Sequence, residues 1–154
     1  MARLGTMSEY AVVPEQSLIK INPDYPLEKA ALVGCGVTTG VGAVINTAQV
    51  QPGGWVAVIG AGGVGLNAVQ GAKLAGAERI FAIDLVERKL EFATEFGATD
   101  LINASQVDTA EVIHDLTDGK GVDYAFEAIG NPETIRLAYQ IIRRGGMTVV
   151  IGIA

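Results

Sequence analysis

The residues Gly60-Ala61-Gly62-Gly63-Val64-Gly65 carry the spacing G-x-G-x-x-G between a continuous apolar run, Trp55 to Ile59, and a stretch of helical spacing, Val64 to Ala75. At a strand-to-helix turn each glycine has a physical task. The first permits the tight turn, the second lets a pyrophosphate approach the backbone, and the third lets helix and strand pack closely. Free N–H groups and the positive end of the helix dipole would then hold phosphates. Gly-rich turns also serve as plain connections, so the trio needs a second signal. Asp84 supplies it: it follows the apolar run Ile80 to Ile83, 19 residues after Gly65, where a carboxylate can accept both hydroxyls of an adenosine ribose. Strand, glycine trio, helix, strand and Asp together point to a bound dinucleotide. A carboxylate at that point repels a 2′-phosphate, and Leu85-Val86 offers nothing to receive one, so NAD is favoured over NADP. Arg88 and Lys89 are nearby cations that weigh the other way.

Two other ligand classes stay open on these residues. An S-adenosylmethionine-dependent methyltransferase also pairs a glycine loop with an acid after the second strand, but commonly has an acidic residue before the loop, where this chain has Val58-Ile59. A flavoprotein more often has Glu than Asp at the second strand's end. A P-loop is excluded, because no Gly-Lys-Ser/Thr follows the turn. Elsewhere the chemistry-bearing residues are sparse. The single cysteine, Cys35, reads on its own as a small buried hydrophobe, Thr38 and Thr39 as helix-capping residues, Lys89 as part of a solvated helix face, and His114 as a surface residue.

The elements that must position these residues alternate along the chain. Strands are expected at Trp55 to Ile59, Ile80 to Ile83, Leu101-Ile102, Val122 to Phe126 and Met147 to Ile153. Helices are expected at Val64 to Ala75, Val86 to Phe96 with Gly97 as its stop, Thr109 to Leu116, and from Asn131-Pro132 through Ile142. Strands apolar on both faces that alternate with helices indicate βαβ units and a doubly wound parallel sheet, an α/β Rossmann arrangement of about five strands. Upstream, Tyr10 to Val13 and Leu18 to Ile21 read as two short strands and Leu27 to Leu32 as a short helix.

Composition agrees. With 154 residues, 49% hydrophobic and 18% charged, the chain can bury one sizeable core. A formal charge of -6 without a basic stretch argues against nucleic acid or an anionic membrane surface as the partner. Apolar stretches are broken before the roughly 20 residues of a bilayer span, nothing resembles a signal peptide, and one cysteine suits a reducing compartment. The expectation is a cytoplasmic protein.

The segment Leu32-Val33-Gly34-Cys35-Gly36-Val37-Thr38-Thr39-Gly40-Val41-Gly42, followed by the glycine trio, Asp84, Phe126-Glu127-Ala128-Ile129-Gly130 and Val150-Ile151-Gly152, resembles the zinc-dependent alcohol dehydrogenases of the medium-chain dehydrogenase/reductase superfamily. The likeness covers essentially the whole chain, including Gly5 to Tyr10. It implies hydride transfer between an alcohol and an aldehyde or ketone, with NAD as cofactor and zinc as Lewis acid. It also implies roles. Cys35 matches a ligand of the catalytic zinc, and Thr39 and Val64 match residues beside the nicotinamide. Lys89 matches a residue at the adenosine ribose, and Ile151, Gly152 and Ile153 match the backbone that meets the carboxamide. Ile129 joins Gly60, Gly62, Gly63, Val64, Gly65 and Asp84 as cofactor-binding.

A catalytic zinc needs three protein ligands and an open position, and the resemblance puts the others in an upstream domain. Residues 1–26 are therefore expected to be a remnant of a GroES-like catalytic domain, and 27–154 a Rossmann domain that lacks its sixth strand. No catalytic residue is assigned within the chain, which is expected to bind NAD(H), to hold no zinc and to be inactive alone. Its bare fifth strand is expected to pair with a second copy or to aggregate. The competing reading is a non-enzymatic nucleotide-binding or interaction module, for which Cys35 would have no use.

Overall fold

A computed structural model gives the structure of residues 8–153. Five parallel strands form one sheet in the order β3-β2-β1-β4-β5: β1 (Trp55–Ile59), β2 (Arg79–Asp84), β3 (Asp100–Asn103), β4 (Val122–Glu127) and β5 (Ile142–Val150). Helices connect them, namely α2 (Gly63–Leu74), α3 (Glu87–Phe96), α4 (Thr109–Leu116) and α5 (Pro132–Gln140), preceded by a long helix α1 (Leu27–Thr47). The strands are apolar on both faces because both faces are covered. Val56, Val58, Ile80 and Phe126 point into one layer with Val44, Ala68, Val69 and Ala72 of α1 and α2. Ala57, Ile59, Phe81, Ile83 and Ala125 point into the other with Ile113 of α4 and Ala138 of α5.

Helix ends follow the local chemistry. The Asp108 side chain accepts from the N–H groups of Ala110 and Glu111, and Asn131 accepts from Glu133 N–H ahead of Pro132 at the first turn of α5. Gly97 closes α3 with a left-handed φ of 117°.

Several expectations need correction. Tyr10 to Val13 and Leu18 to Ile21 form no strand; between them lies one 3₁₀ turn, Glu15–Ser17. A strand needs a ladder partner and a face to bury, and here Tyr10, Val12 and Ile19 are at least 90% exposed. The expected start of this segment, Gly5 to Met7, lies outside the described residues.

The helix expected over Leu27 to Leu32 continues to Thr47, with π turns at Val33–Val37 and Ala43–Thr47. The α1–α2 packing uses a glycine from each helix: a Cβ on Gly40 of α1 would overlap the Val64 carbonyl and Asn67 of α2, and one on Gly71 of α2 would press on Val41 and Val44 of α1. Thr38 and Thr39 consequently sit inside the helix rather than at a cap, and the Thr38 hydroxyl donates to the Cys35 carbonyl at 3.2 Å. Cys35 is exposed, not buried. At 21 residues and a mean hydropathy of 1.4, α1 is long and apolar enough to cross a membrane by those measures alone, contrary to the expected early breaks. In the fold it packs on α2.

The last strand begins and ends earlier than Met147 to Ile153. It takes in Ile142, Arg143 and Arg144, and a bulge lets Ile142 pair with Val122 and Met147 with Tyr124. Accordingly α5 stops at Gln140.

Candidate nucleotide-binding site

The site is built where the chain leaves β1 for one face of the sheet and β4 for the other, so that an opening remains at the strands' C-terminal ends. Gly60 turns the chain with φ +98°, its N–H donating to the Ile83 carbonyl at 2.7 Å. Gly65 packs so tightly that a Cβ would overlap the Gly60 carbonyl. By contrast, no heavy atom lies within 4 Å of where a Cβ on Gly62 or Gly63 would stand. The loop is thus closed against the sheet and open on its other side. Gly62 precedes α2, and no side chain caps that helix, so its first-turn N–H groups are available to an anion.

Asp84 ends β2 with a buried carboxyl. Oδ2 accepts from Ala61 N–H at 2.9 Å and lies 3.5 Å from Lys89 Nζ, while Oδ1 accepts from Val86 N–H at 3.0 Å. One side chain thereby ties the glycine loop to the start of α3 while it lines a hollow of about 520 Å³. Around that hollow stand Gly60, Gly62, Asp84, Lys89, Ile129 and Thr134, over an apolar floor from Ile59 and Ile83. Its size suits a small-molecule ligand.

The expected site residues fall into two groups. Gly60, Gly62, Asp84, Lys89 and Ile129 share that hollow. Thr39 and Ile151 line a second, more open one between α1 and the end of β5, with Thr38, Asn46 and Val150. Gly63, Val64 and Gly65 begin the helix between loop and core, and the Val64 carbonyl touches Gly40. Gly152 presses on Gly130, while Ile153 is 93% exposed. The α1–α2 contact at Gly40 packs the helix that carries Thr39 against Val64 and Asn67 at the start of α2.

Cys35 does not gather other donors. Among the described residues, no group of three or more His, Cys, Asp and Glu comes together that could hold a metal ion. These residues by themselves do not fit a catalytic zinc, which takes three protein ligands.

Sequence reasoning missed Glu127, the last residue of β4. Its side chain is completely buried. Oε1 accepts from Ile129 N–H at 3.0 Å, Gly130 N–H at 2.8 Å and the Thr134 hydroxyl at 2.8 Å, whereas buried Oε2 has no partner. Leaving such an atom unpaired costs about 1–3 kcal/mol, a cost retained beside the opening. The available signal was a carboxylate directly after the apolar Ala125-Phe126 at the end of β4.

The family model described as zinc-binding dehydrogenase matches residues 63–154, more than half of the chain. The chain belongs to the zinc-binding dehydrogenase family. Among the chain's curated relatives, the S-(hydroxymethyl)glutathione dehydrogenase of Synechocystis is 55% identical over 97% of the chain and 41% of that protein. The class-3 alcohol dehydrogenase of rice, Oryza sativa subsp. japonica, is 49% identical over 97% of the chain and 40% of that protein. Among solved structures, benzyl alcohol dehydrogenase from Acinetobacter calcoaceticus superposes with a TM-score of 0.85 at 39% identity, over 88% of this chain and 37% of that one. The chain spans about two fifths of the length of the curated relatives it matches.

Proposed function

We propose that this chain is the NAD(H)-binding part of an alcohol dehydrogenase, with Asp84 selecting NAD over NADP. The observation that carries this is the buried Asp84 carboxylate beside an open glycine loop and an uncapped α2, all on one hollow. In this reading the α2 N-terminus and the Gly62 and Gly63 backbone hold the pyrophosphate. Asp84 and Lys89 hold the adenosine ribose, and Gly60 and Ile129 line the crevice that the dinucleotide enters. Val64, Thr39 and Ile151 to Ile153 meet the nicotinamide half. NAD supplies the acceptor for a hydride from an alcohol.

Cys35 would contribute one zinc ligand in a whole enzyme whose remaining ligands come from outside the described residues. Residues 1–26 belong, in this reading, to the catalytic domain, and 27–154 to the cofactor domain. The relatives' names put S-(hydroxymethyl)glutathione first among the alcohols to test on the whole protein. No nucleic-acid or membrane partner enters this reading, which sets the enzyme in the cytoplasm. The non-enzymatic module keeps the same nucleotide site and gives Cys35 no role.

Calorimetric titration of the 154-residue chain tests the reading. NADH is expected to bind with micromolar to millimolar affinity and NADPH several-fold more weakly; equal curves for the two would overturn the assignment to Asp84.

A further inference from the structure

Glu127 has no role in the nucleotide contacts above, yet its buried side chain and its main chain hold two segments of the site. Its Oε1 collects the N–H groups of Ile129 and Gly130 and the Thr134 hydroxyl, which together form the β4–α5 turn. Its main-chain carbonyl accepts from Ile151 N–H at 2.8 Å and Gly152 N–H at 3.1 Å, just past the end of β5. The two held segments then touch each other backbone to backbone. A Cβ on Gly152 would overlap Gly130 N, and one on Gly130 would overlap the Ile153 main chain. No side chain separates them, so a shift of the turn is passed directly to residues 151–153.

We propose that Glu127 is a positioning residue for the nicotinamide half of the dinucleotide. Its buried carboxyl sets the 129–130 turn, and the turn sets the chain at 151–153. This rests on the dinucleotide reading above. The adenosine half is held by a different residue: the hydrogen bonds of Asp84 go to Ala61, Val86 and Lys89 and to none of Glu127's hydrogen-bond partners. The two ends of the ligand are thus positioned by two separate carboxyls, one at the end of β2 and one at the end of β4. All of the carboxyl's hydrogen bonds run through Oε1 to the turn, and buried Oε2 has no partner.

The experiment compares NADH with ADP-ribose, which lacks the nicotinamide, on the chain and on Glu127→Gln and Thr134→Val. Gln keeps one oxygen for three donors but places an NH₂ where Oε2 has no partner. Thr134→Val removes one donor from a half-buried position and leaves the core intact. In Glu127→Gln, NADH should weaken about tenfold, the worth of one hydrogen bond to a charged group, while ADP-ribose stays within about twofold. Thr134→Val should shift the ratio in the same direction by a smaller factor, and it carries the test if Glu127→Gln does not fold. Amide hydrogen exchange gives a readout without ligand: Ile129, Gly130, Ile151 and Gly152 should exchange faster together, with Gly60 and Ala61 unchanged.

Parallel weakening of both ligands would make Glu127 a general core residue and overturn the proposal. So would an unchanged NADH to ADP-ribose ratio in both variants. An unmutated chain that binds neither ligand would instead overturn the dinucleotide reading itself, and the proposal with it.

Discussion

At the scale of single residues, the proposed reading gives Asp84 two tasks that a change of cofactor preference would have to separate. Replacing it with Ser removes the negative charge that opposes a 2′-phosphate, but also the acceptor that Ala61 N–H uses at 2.9 Å. Asp84→Ser is therefore expected to narrow the NADH to NADPH affinity ratio mainly by weakening NADH, by about tenfold for the charged hydrogen bonds lost. Asp84→Asn keeps an oxygen for Ala61 and should lose less. Competitive displacement of bound NADH fluorescence measures both, and a ratio unmoved by Ser would show that Asp84 does not select. Asp84 was legible in the sequence because residue type and place in the βαβ pattern reinforce each other. Glu127 was not: its partners are two backbone N–H groups and a hydroxyl that only the folded turn brings together. Cys35 was misjudged on its own type, since burial depends on which face of α1 meets α2, and the packed face carries Gly40 and Val44.

At the scale of elements, the alternating strands and helices after residue 54 were readable because β1, β2 and β4 have apolar centres and the helices carry stops or caps, whereas Arg143 and Arg144 hid the start of β5. Helix α1 was hidden by Gly34, Gly36, Gly40 and Gly42, of which only Gly40 is closely packed against α2. That difference is testable. Gly40→Ala should destabilise the fold by about 1–3 kcal/mol, because the added methyl meets the backbone of α2. Gly34→Ala meets nothing within 4 Å and should stabilise by about 0.5–1 kcal/mol. Urea unfolding midpoints decide, and a Gly40→Ala midpoint equal to that of the unmutated chain would show that the α1–α2 contact is looser than described.

The pair of β2 and β3 carries a pH dependence. Burial alone would raise the Asp100 carboxyl, but hydrogen bonds from Arg79 and Thr99 and the Arg79 charge outweigh it and hold it below its usual value. A lowered folded-state value means stability that is fully present above the unfolded carboxylate range, near pH 4, and is lost as pH falls below it toward the folded value. Asp100→Asn should flatten that acid limb while leaving neutral-pH folding in place. An unchanged limb in urea melts between pH 5 and 2 would remove Asp100 as its source.

At the scale of the whole molecule, β5 lies at the edge of the sheet, paired only with β4 among the described residues. Edge strands invite pairing with another chain unless charge or shape prevents it. Arg143 and Arg144 protect its beginning, whereas Met147 to Val150 carry no charge. Self-association of the 154-residue chain through 147–150 is the expected outcome. Val149 packs on the core and Val150 is 47% exposed, so Val150→Lys is the better probe. Sedimentation at tens of micromolar should show a dimer or larger species that Val150→Lys reduces; a monomer with and without the change would contradict it. Dinucleotide binding in the crevice between the two halves of the sheet can be read residue by residue from amide chemical shifts of the labelled chain titrated with NADH. Saturable shifts are expected at Gly62, Gly63, Val64, Asp84 and Ile129. Unmoved resonances there at millimolar NADH, or shifts confined to distant elements such as α4, would contradict it.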